Sequence, residues 1–103
     1  MTKRHTLPNI HPGEVLSEEF LKPNGISRYR LAKDIRVPAT RVGEICAGTR
    51  AVTADTALRL SAYFGVSPKF WLGLQEDYDI EEEKRQKAAV FGAINPWHKA
   101  IAV

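Results

Sequence analysis

The chain has 103 residues, 44% of them hydrophobic and 26% charged, with a formal net charge of +3, as expected of one globular domain with a modest core. No apolar run approaches the roughly 20 residues of a membrane-spanning helix, and the N-terminal MTKRHTLPNI lacks the apolar segment of a signal peptide, so a cytoplasmic protein without a membrane partner is expected. A single cysteine, Cys46, excludes an internal disulfide.

The N-terminal third of the chain predicts an arm followed by one helix. Residues 1–10 show no hydrophobic period and are expected to form a flexible arm. The first helix is predicted to open near His11, with Pro12 at its first position, and to end at the turn Pro23-Asn24-Gly25. Its apolar stripe consists of Val15, Leu16, Phe20 and Leu21.

Two short helices with a tight connection are predicted next. Ser27 is a favourable N-cap for the second helix, and Pro38 stands at the start of the third, which Gly48 ends. The inward-facing residues are Leu31, Ala32 and Ile35 on the second helix and Val42 and Ile45 on the third. Because only Arg36-Val37 and Pro38 separate them, the pair is typical of a helix-turn-helix.

The fourth and fifth helices have the clearest boundaries. Thr53 caps the fourth and Gly65 ends it, while Ser67 caps the fifth with Pro68 at its first position. Their predicted buried residues are Ala57, Leu60, Phe64, Phe70, Trp71, Leu74 and Tyr78, with Val66 packing on Trp71 as a hydrophobic staple. Strand patterns are missing, so the sequence predicts an all-α fold.

The C-terminal segment, residues 81–103, is predicted to be a helical extension followed by an apolar tail. The acidic run in residues 76–83 suits either a solvated helix face or mimicry of nucleic acid, and the spacings Glu81–Arg85 and Glu83–Lys87 favour continued helix. Gly92 and the Asn95-Pro96 pair are expected to break it. The tail, residues 88–103, is expected to pack back on the chain or on a partner.

The basic charge points to a nucleic-acid interface on the third helix. Residues 1–75 carry a net charge of +5, and the window 28–50 alone carries +4, whereas residues 76–103 carry −2. A phosphate-facing surface needs such a patch, although a plain solvated face is the commoner explanation. With Val42 and Ile45 turned inward, the outer candidates for base contacts are Ala39, Thr40, Arg41, Gly43 and Glu44.

The side chains of the outer residues suggest particular contacts with DNA. Thr40 can hydrogen-bond base edges, and its methyl group or that of Ala39 can meet a thymine methyl. Arg41 suits a guanine or else a phosphate, with a plain exposed arginine as the alternative. Glu44 suits a cytosine amino group or else pairs with a neighbouring arginine. The phosphate candidates are Ser27, Arg28, Thr49 and Arg50, with Lys33 as a weaker one.

Three motifs carry a family resemblance: HPGEVLSEEFL, RVGEICAGTRAVTADTALRL and YFGVSPKFWLGLQ. The chain resembles the HigA-type (VapI-like) antitoxins of the lambda-repressor-like XRE helix-turn-helix superfamily. The resemblance implies a five-helix domain, here residues 11–80, and a homodimer that binds an inverted repeat in its own promoter. It also implies a HigB-like toxin, an mRNA-cleaving ribonuclease that the antitoxin silences.

Two residues depart from the superfamily pattern. Arg36 stands where many members have glycine at a turn that often needs positive φ, so it must tolerate strain or use another geometry. Gly43 lies inside the third helix, at a cost of about 1 kcal/mol relative to alanine. It either allows close approach to the groove or leaves this helix less rigid.

Other functions find less support in the sequence. A solitary helix-turn-helix repressor without a toxin would use the same residues, and only a partner distinguishes it. An enzyme is not expected, because no acid/base or nucleophile set can be placed on a common face. No cofactor or metal is expected either, since His5, His11 and His98 are scattered and Cys46 lacks a ligand at zinc spacing.

Overall fold

The computed structural model describes residues 9–97, and every regular element within that range is helical. Helix α1 starts as an α-helix over Pro12–Val15 and continues as a π-helix over Leu16–Leu21. The others are α2 (Arg28–Ile35), α3 (Ala39–Cys46), α4 (Ala54–Phe64) and α5 (Pro68–Gly92). The predicted all-α class and five-helix order are confirmed. Most of the predicted arm, residues 1–10, lies outside the described residues.

Local capping signals set the helix ends where the sequence predicts them. The hydroxyl oxygens of Ser27, Thr53 and Ser67 accept backbone N–H groups from the first turns of α2, α4 and α5, at 3.0, 3.4 and 3.1 Å. Gly48 and Gly65 follow α3 and α4 with φ of 81° and 80°, the left-handed conformation that ends a helix. Each helix therefore stops within a residue or two of its sequence signal.

One core lies where the helices meet. Trp71 is fully buried, and the Phe20 ring lies 4.9 Å from it and 5.0 Å from Phe64. The buried hydrophobic residues are Leu16, Leu21, Leu31, Ala32, Ile35, Val42, Ile45, Val52, Ala57, Leu60 and Trp71. The prediction that Phe70 is a core residue is wrong, because it is 39% exposed, although its ring lies 5.0 Å from that of Trp71 and 6.1 Å from that of Phe20.

The π-helical part of α1 brings two leucines to the same side. The Lys22 amide donates to the Ser17 carbonyl at 3.0 Å, five residues back, which is the π-helical pattern. Leu16 and Leu21, also five apart, are both buried. Burial of both side chains explains why a wider turn is used where the sequence pattern predicts only a helix.

The start of α1 is fixed between α3 and α5. His11 is the N-cap, and its Nδ1 accepts the Gly13 amide at 2.9 Å, while its ring meets Tyr78 edge-on at 4.9 Å. Burial lowers the pKa of His11, and the carboxylate of Asp79 opposes that shift. A Cβ atom on Gly13 would lie 1.7 Å from the carbonyl oxygen of Ile45, so the α1 backbone rests directly on α3.

Helix α5 continues well beyond the core. The predicted pairs Glu81–Arg85 and Glu83–Lys87 are present at 3.7 and 2.9 Å, which confirms the helical continuation. Lys87 departs from helical geometry, with φ −124° and ψ 28°, and marks a kink. The helix ends at Gly92, as predicted. Helix α5 runs without interruption through residue 80, so no boundary between elements falls there. The division into a domain of residues 11–80 and an extension of residues 81–103 stays a prediction.

The apolar side chains at the end of α5 and just beyond it remain uncovered. Val90, Phe91, Ile94 and Trp97 are 60, 44, 64 and 73% exposed. For the described part of the tail, the expectation of packing back on the chain is therefore wrong, whereas packing on a dimer mate or on a toxin stays a prediction. Residues 98–103 lie outside the described range. No helix within residues 9–97 is both long and apolar enough to cross a membrane.

Candidate nucleic-acid interface

Helix α3 buries one side and leaves the opposite side open. Val42 and Ile45 are 2% and 1% exposed, as predicted, whereas Ala39, Thr40 and Glu44 are exposed. Small side chains dominate the centre of the open side. A Cβ atom built on Gly43 would meet nothing within 4 Å outside its own helix backbone, so nothing in the protein requires a glycine there.

Arg41 lies on the flank of α3 that faces α4. Its side chain is 28% exposed, and its Nη1 donates to Oδ2 of Asp55 at 2.7 Å. The same oxygen accepts the Nε–H of Arg59 at 2.9 Å. These two arginines, Arg59 more than Arg41, hold the pKa of the Asp55 carboxyl below its usual range. Arg41 is thus oriented by a carboxylate rather than free in solvent.

The turn between α2 and α3 is held by the same arginine of α4. Arg36 adopts a left-handed conformation, φ 63° and ψ 49°, so the turn keeps the geometry that favours glycine and Arg36 tolerates the strain. Nη1 of Arg59 donates to the carbonyl oxygens of Ile35 at 2.8 Å and Arg36 at 3.2 Å. These bonds satisfy carbonyls at the end of α2 and fix the turn against α4.

The C-terminal end of α3 carries the second predicted phosphate pair. Arg50 donates from Nε to the Glu44 carboxylate at 2.7 Å, so Glu44 pairs with an arginine in the DNA-free chain. The amide and hydroxyl of Thr49 both donate to the Glu44 carbonyl, at 2.9 and 3.2 Å. Half of the Arg50 side chain stays accessible at 48%, so the guanidinium can still meet a phosphate.

The predicted phosphate residues of α2 have open surroundings. Ser27 caps α2, and Arg28 and Lys33 are exposed with no carboxylate at ion-pair distance among residues 9–97. Burial raises the pKa of the Cys46 thiol, at the end of α3, and the positive charge of Arg28 opposes that shift.

The sequence prediction missed Asp55 and Arg59. Their spacing of four residues on α4 is a recognisable signal for an ion pair, but nothing in the sequence shows that Arg59 reaches the α2–α3 turn. Between α3 and α4 lies an open depression of about 250 Å³. It is lined by Arg41, Arg50, Ala51, Thr53, Asp55 and Thr56.

The fold and this arrangement define a helix-turn-helix protein. The model of the family described as "Helix-turn-helix" matches residues 18–71, a segment that includes α2, α3 and α4. Virulence-associated protein I of Dichelobacter nodosus is 45% identical over 87 residues, which cover 84% of this chain and 81% of that protein.

Two solved structures are similar over nearly their whole length. One, from Coxiella burnetii, is described as an addiction module antidote protein of the HigA family; it is 41% identical, with a TM-score of 0.82 over 88% of this chain and 100% of that one. The other is the Pseudomonas aeruginosa antitoxin HigA with the higBA promoter, 36% identical, with a TM-score of 0.84 over 87% and 99%. The chain belongs to the HigA-type antitoxin family of helix-turn-helix proteins.

Proposed function

We propose that this chain binds operator DNA as a homodimer, represses its own operon and neutralises a HigB-like mRNA-cleaving toxin in the cytoplasm. The observation that carries the DNA-binding part is the outer side of α3. Small or polar residues line it, and exposed arginines stand at the start of α2 and just past the end of α3. Such a helix fits the major groove, where its N-terminal part meets base edges.

Base contacts are assigned to the outer residues of α3. Thr40 supplies a hydroxyl and a methyl group, and Ala39 a methyl group, for base edges and thymine. Gly43 leaves room for close approach of the helix to the groove. Glu44 contacts a cytosine amino group with the acceptor positions that Arg50 does not use, since Arg50 pairs with only one of its carboxylate oxygens, at 2.7 Å, in the free chain. Arg41 contacts a guanine or a phosphate with the guanidinium donors that Asp55 does not use.

Phosphate contacts are assigned to residues at the two flanks. The free N–H groups of the first turn of α2 favour an anion beside Ser27 and Arg28. Thr49 and Arg50 supply the second contact, and Lys33 a weaker one. A homodimer would place two copies of α3 in successive major grooves, about 34 Å apart, which requires an operator with inverted half-sites. The Pseudomonas aeruginosa relative, described with the higBA promoter, supports the binding of promoter DNA by this chain.

The DNA-binding part is tested with the duplex directly upstream of the chain's own gene. Its binding is compared with that of a random duplex of equal length and composition, and footprinting locates the protected bases. We expect a protected inverted repeat and at least about a thousandfold preference over random DNA at physiological salt. Equal affinity for the two duplexes would overturn the proposal.

The toxin-binding part rests on family membership and on the Coxiella burnetii relative, described as an addiction module antidote protein. A tagged chain is purified from cells that express its own operon, at moderate salt and with nuclease, and its partners are identified by mass spectrometry. Recovery of a small basic protein near one-to-one, with relief of its growth inhibition on co-expression, supports the antitoxin role. Recovery of the homodimer alone favours a solitary repressor.

A further inference from the structure

We propose that Asp55 is a positioning residue for DNA recognition: it holds the guanidinium of Arg41 by one edge and directs the remaining donors of that group toward the operator. The inference rests on the proposed DNA binding and adds a residue that determines specificity but lies outside α3, the helix proposed to enter the major groove. It starts from one carboxylate oxygen of α4, Oδ2 of Asp55, which accepts from both Arg41 and Arg59 at 2.7 and 2.9 Å.

The carboxylate is itself held in place. Arg59 bonds Asp55 through Nε, and its Nη1 donates to the backbone carbonyls of Ile35 and Arg36 at 2.8 and 3.2 Å. The guanidinium is planar and rigid, so its backbone bonds fix the orientation of its Nε–H as well. A continuous series of hydrogen bonds therefore runs from the turn between α2 and α3, through Arg59 and Asp55, to Arg41.

Arg41 keeps most of its donors. Only Nη1 has a hydrogen-bond partner among the described residues, so Nε and Nη2 remain for a nucleic acid. An arginine fixed before binding loses less conformational freedom when it bonds a base or a phosphate than a freely rotating one does. The pairing with Asp55 thus orients Arg41 in advance, and the benefit is realised only where the DNA presents an acceptor at the matching position.

A competing role for Asp55 gives the opposite result. If Asp55 only places a negative charge beside the DNA, its removal strengthens binding to every duplex, because phosphate repulsion is lost. If Asp55 positions Arg41, its removal weakens binding to the operator and leaves binding to random DNA unchanged or stronger. The ratio of the two affinities therefore separates positioning from simple repulsion, and loss of α4 structure would weaken both alike.

The test is a double-mutant cycle on the full-length chain with the upstream duplex and the random duplex. Asp55→Ala is expected to lower operator affinity about three- to tenfold, the range for losing one pre-ordered long side chain, and to lower the preference for operator by at least as much. Asp55→Asn keeps an acceptor and is expected to lose less. In an Arg41→Ala background, Asp55→Ala is expected to have no further effect on preference. Asp77→Ala, on α5, is the control that removes one negative charge elsewhere.

Three outcomes would overturn the inference. The first is that Asp55→Ala lowers operator affinity just as much in the Arg41→Ala background as in the unsubstituted chain. The second is that Asp55→Ala lowers the affinity for both duplexes equally, and the third is that it raises the affinity for both. Circular dichroism shows whether Asp55→Ala folds. If it does not, the two affinities are compared for Asp55→Asn instead. Failure of the proposed function is distinguishable, because the unmodified chain would then show no preference for the upstream duplex.

Discussion

Two glycine-to-alanine substitutions in neighbouring helices are expected to change stability in opposite directions. Gly13 and Gly43 both lie in helices at negative φ, where alanine is normally favoured by up to about 1 kcal/mol. A Cβ at Gly43 meets nothing within 4 Å, so Gly43→Ala should realise that gain. A Cβ at Gly13 lies 1.7 Å from the Ile45 carbonyl oxygen and 2.5 Å from its carbon.

The magnitude for Gly13→Ala follows from this geometry. Ordinary contact begins at 3.4 Å, so α1 and α3 must separate by about 1.7 Å. The obstacle is helix backbone, which cannot rotate aside as a side chain can, and the same interface carries the buried Ile45. Overpacking costs typically about 1–3 kcal/mol, and against rigid backbone we expect the upper end, about 3 kcal/mol, which lowers Tm by roughly 12–24 °C for a domain of this size. Gly43→Ala should raise Tm by up to about 8 °C.

The assay is urea and thermal unfolding followed by circular dichroism, at one fixed protein concentration because dimerisation would add to apparent stability. Each variant adds one methyl group to the unsubstituted chain, so each is the control for the other. A Gly13→Ala protein within about 0.5 kcal/mol of the unsubstituted chain would refute the close approach of α1 to α3. Operator binding by Gly43→Ala separately tests close approach to DNA: a loss despite greater stability supports it.

Three further results are expected. The neutral His11 imidazole caps α1, and its pKa is lowered from 6.5. Its contribution to stability is therefore complete above that pH and is lost as the pH falls through the lowered value. The urea midpoint should decrease between about pH 7.5 and 5.5, and His11→Asn should flatten that dependence. Arg36→Gly relieves a left-handed conformation and should raise the free energy of unfolding by up to about 1 kcal/mol. A decrease in that free energy would mean that the Arg36 side chain stabilises the fold by more than its backbone conformation costs. Arg41→Ala should cost roughly 1–3 kcal/mol of binding free energy on the operator and little on random DNA. Arg28→Ala should weaken binding to both duplexes and reduce the slope of log affinity against log salt concentration by about one. Equal losses on both duplexes for Arg41→Ala would argue against base reading.

Much of the fold could be predicted because its signals are local. A serine or threonine hydroxyl reaches an amide only two or three residues along the chain, and glycine alone adopts positive φ without strain. Ser27, Thr53 and Gly65 therefore mark helix ends without reference to the rest of the molecule. The spacing of buried residues in α2 and α3 likewise follows from helix geometry. The same spacing predicts which residues of α3 face outward in the candidate interface.

The details of the candidate site depend on contacts between residues distant in sequence. Arg41 meets Asp55 fourteen residues later, and Arg59 reaches the carbonyl of Ile35 twenty-four residues earlier. These pairings are decided by how α4 packs on α2 and α3, so composition and spacing predict a basic patch but not which of its charges are engaged. The left-handed Arg36 is of the same kind, since neighbouring elements hold a conformation that its own side chain disfavours.

The sequence by itself determined the five helices, their ends, and which side of α3 faces away from the core, because capping and hydrophobic period act within a few residues. Tertiary structure alone decided that α1 widens into a π-helix, that Gly13 lies on α3, and that Asp55 orients Arg41. It also decided that the end of α5 leaves Phe91 and Trp97 uncovered. Each of these outcomes depends on which residues distant in sequence come into contact, and that is set only when the helices pack together.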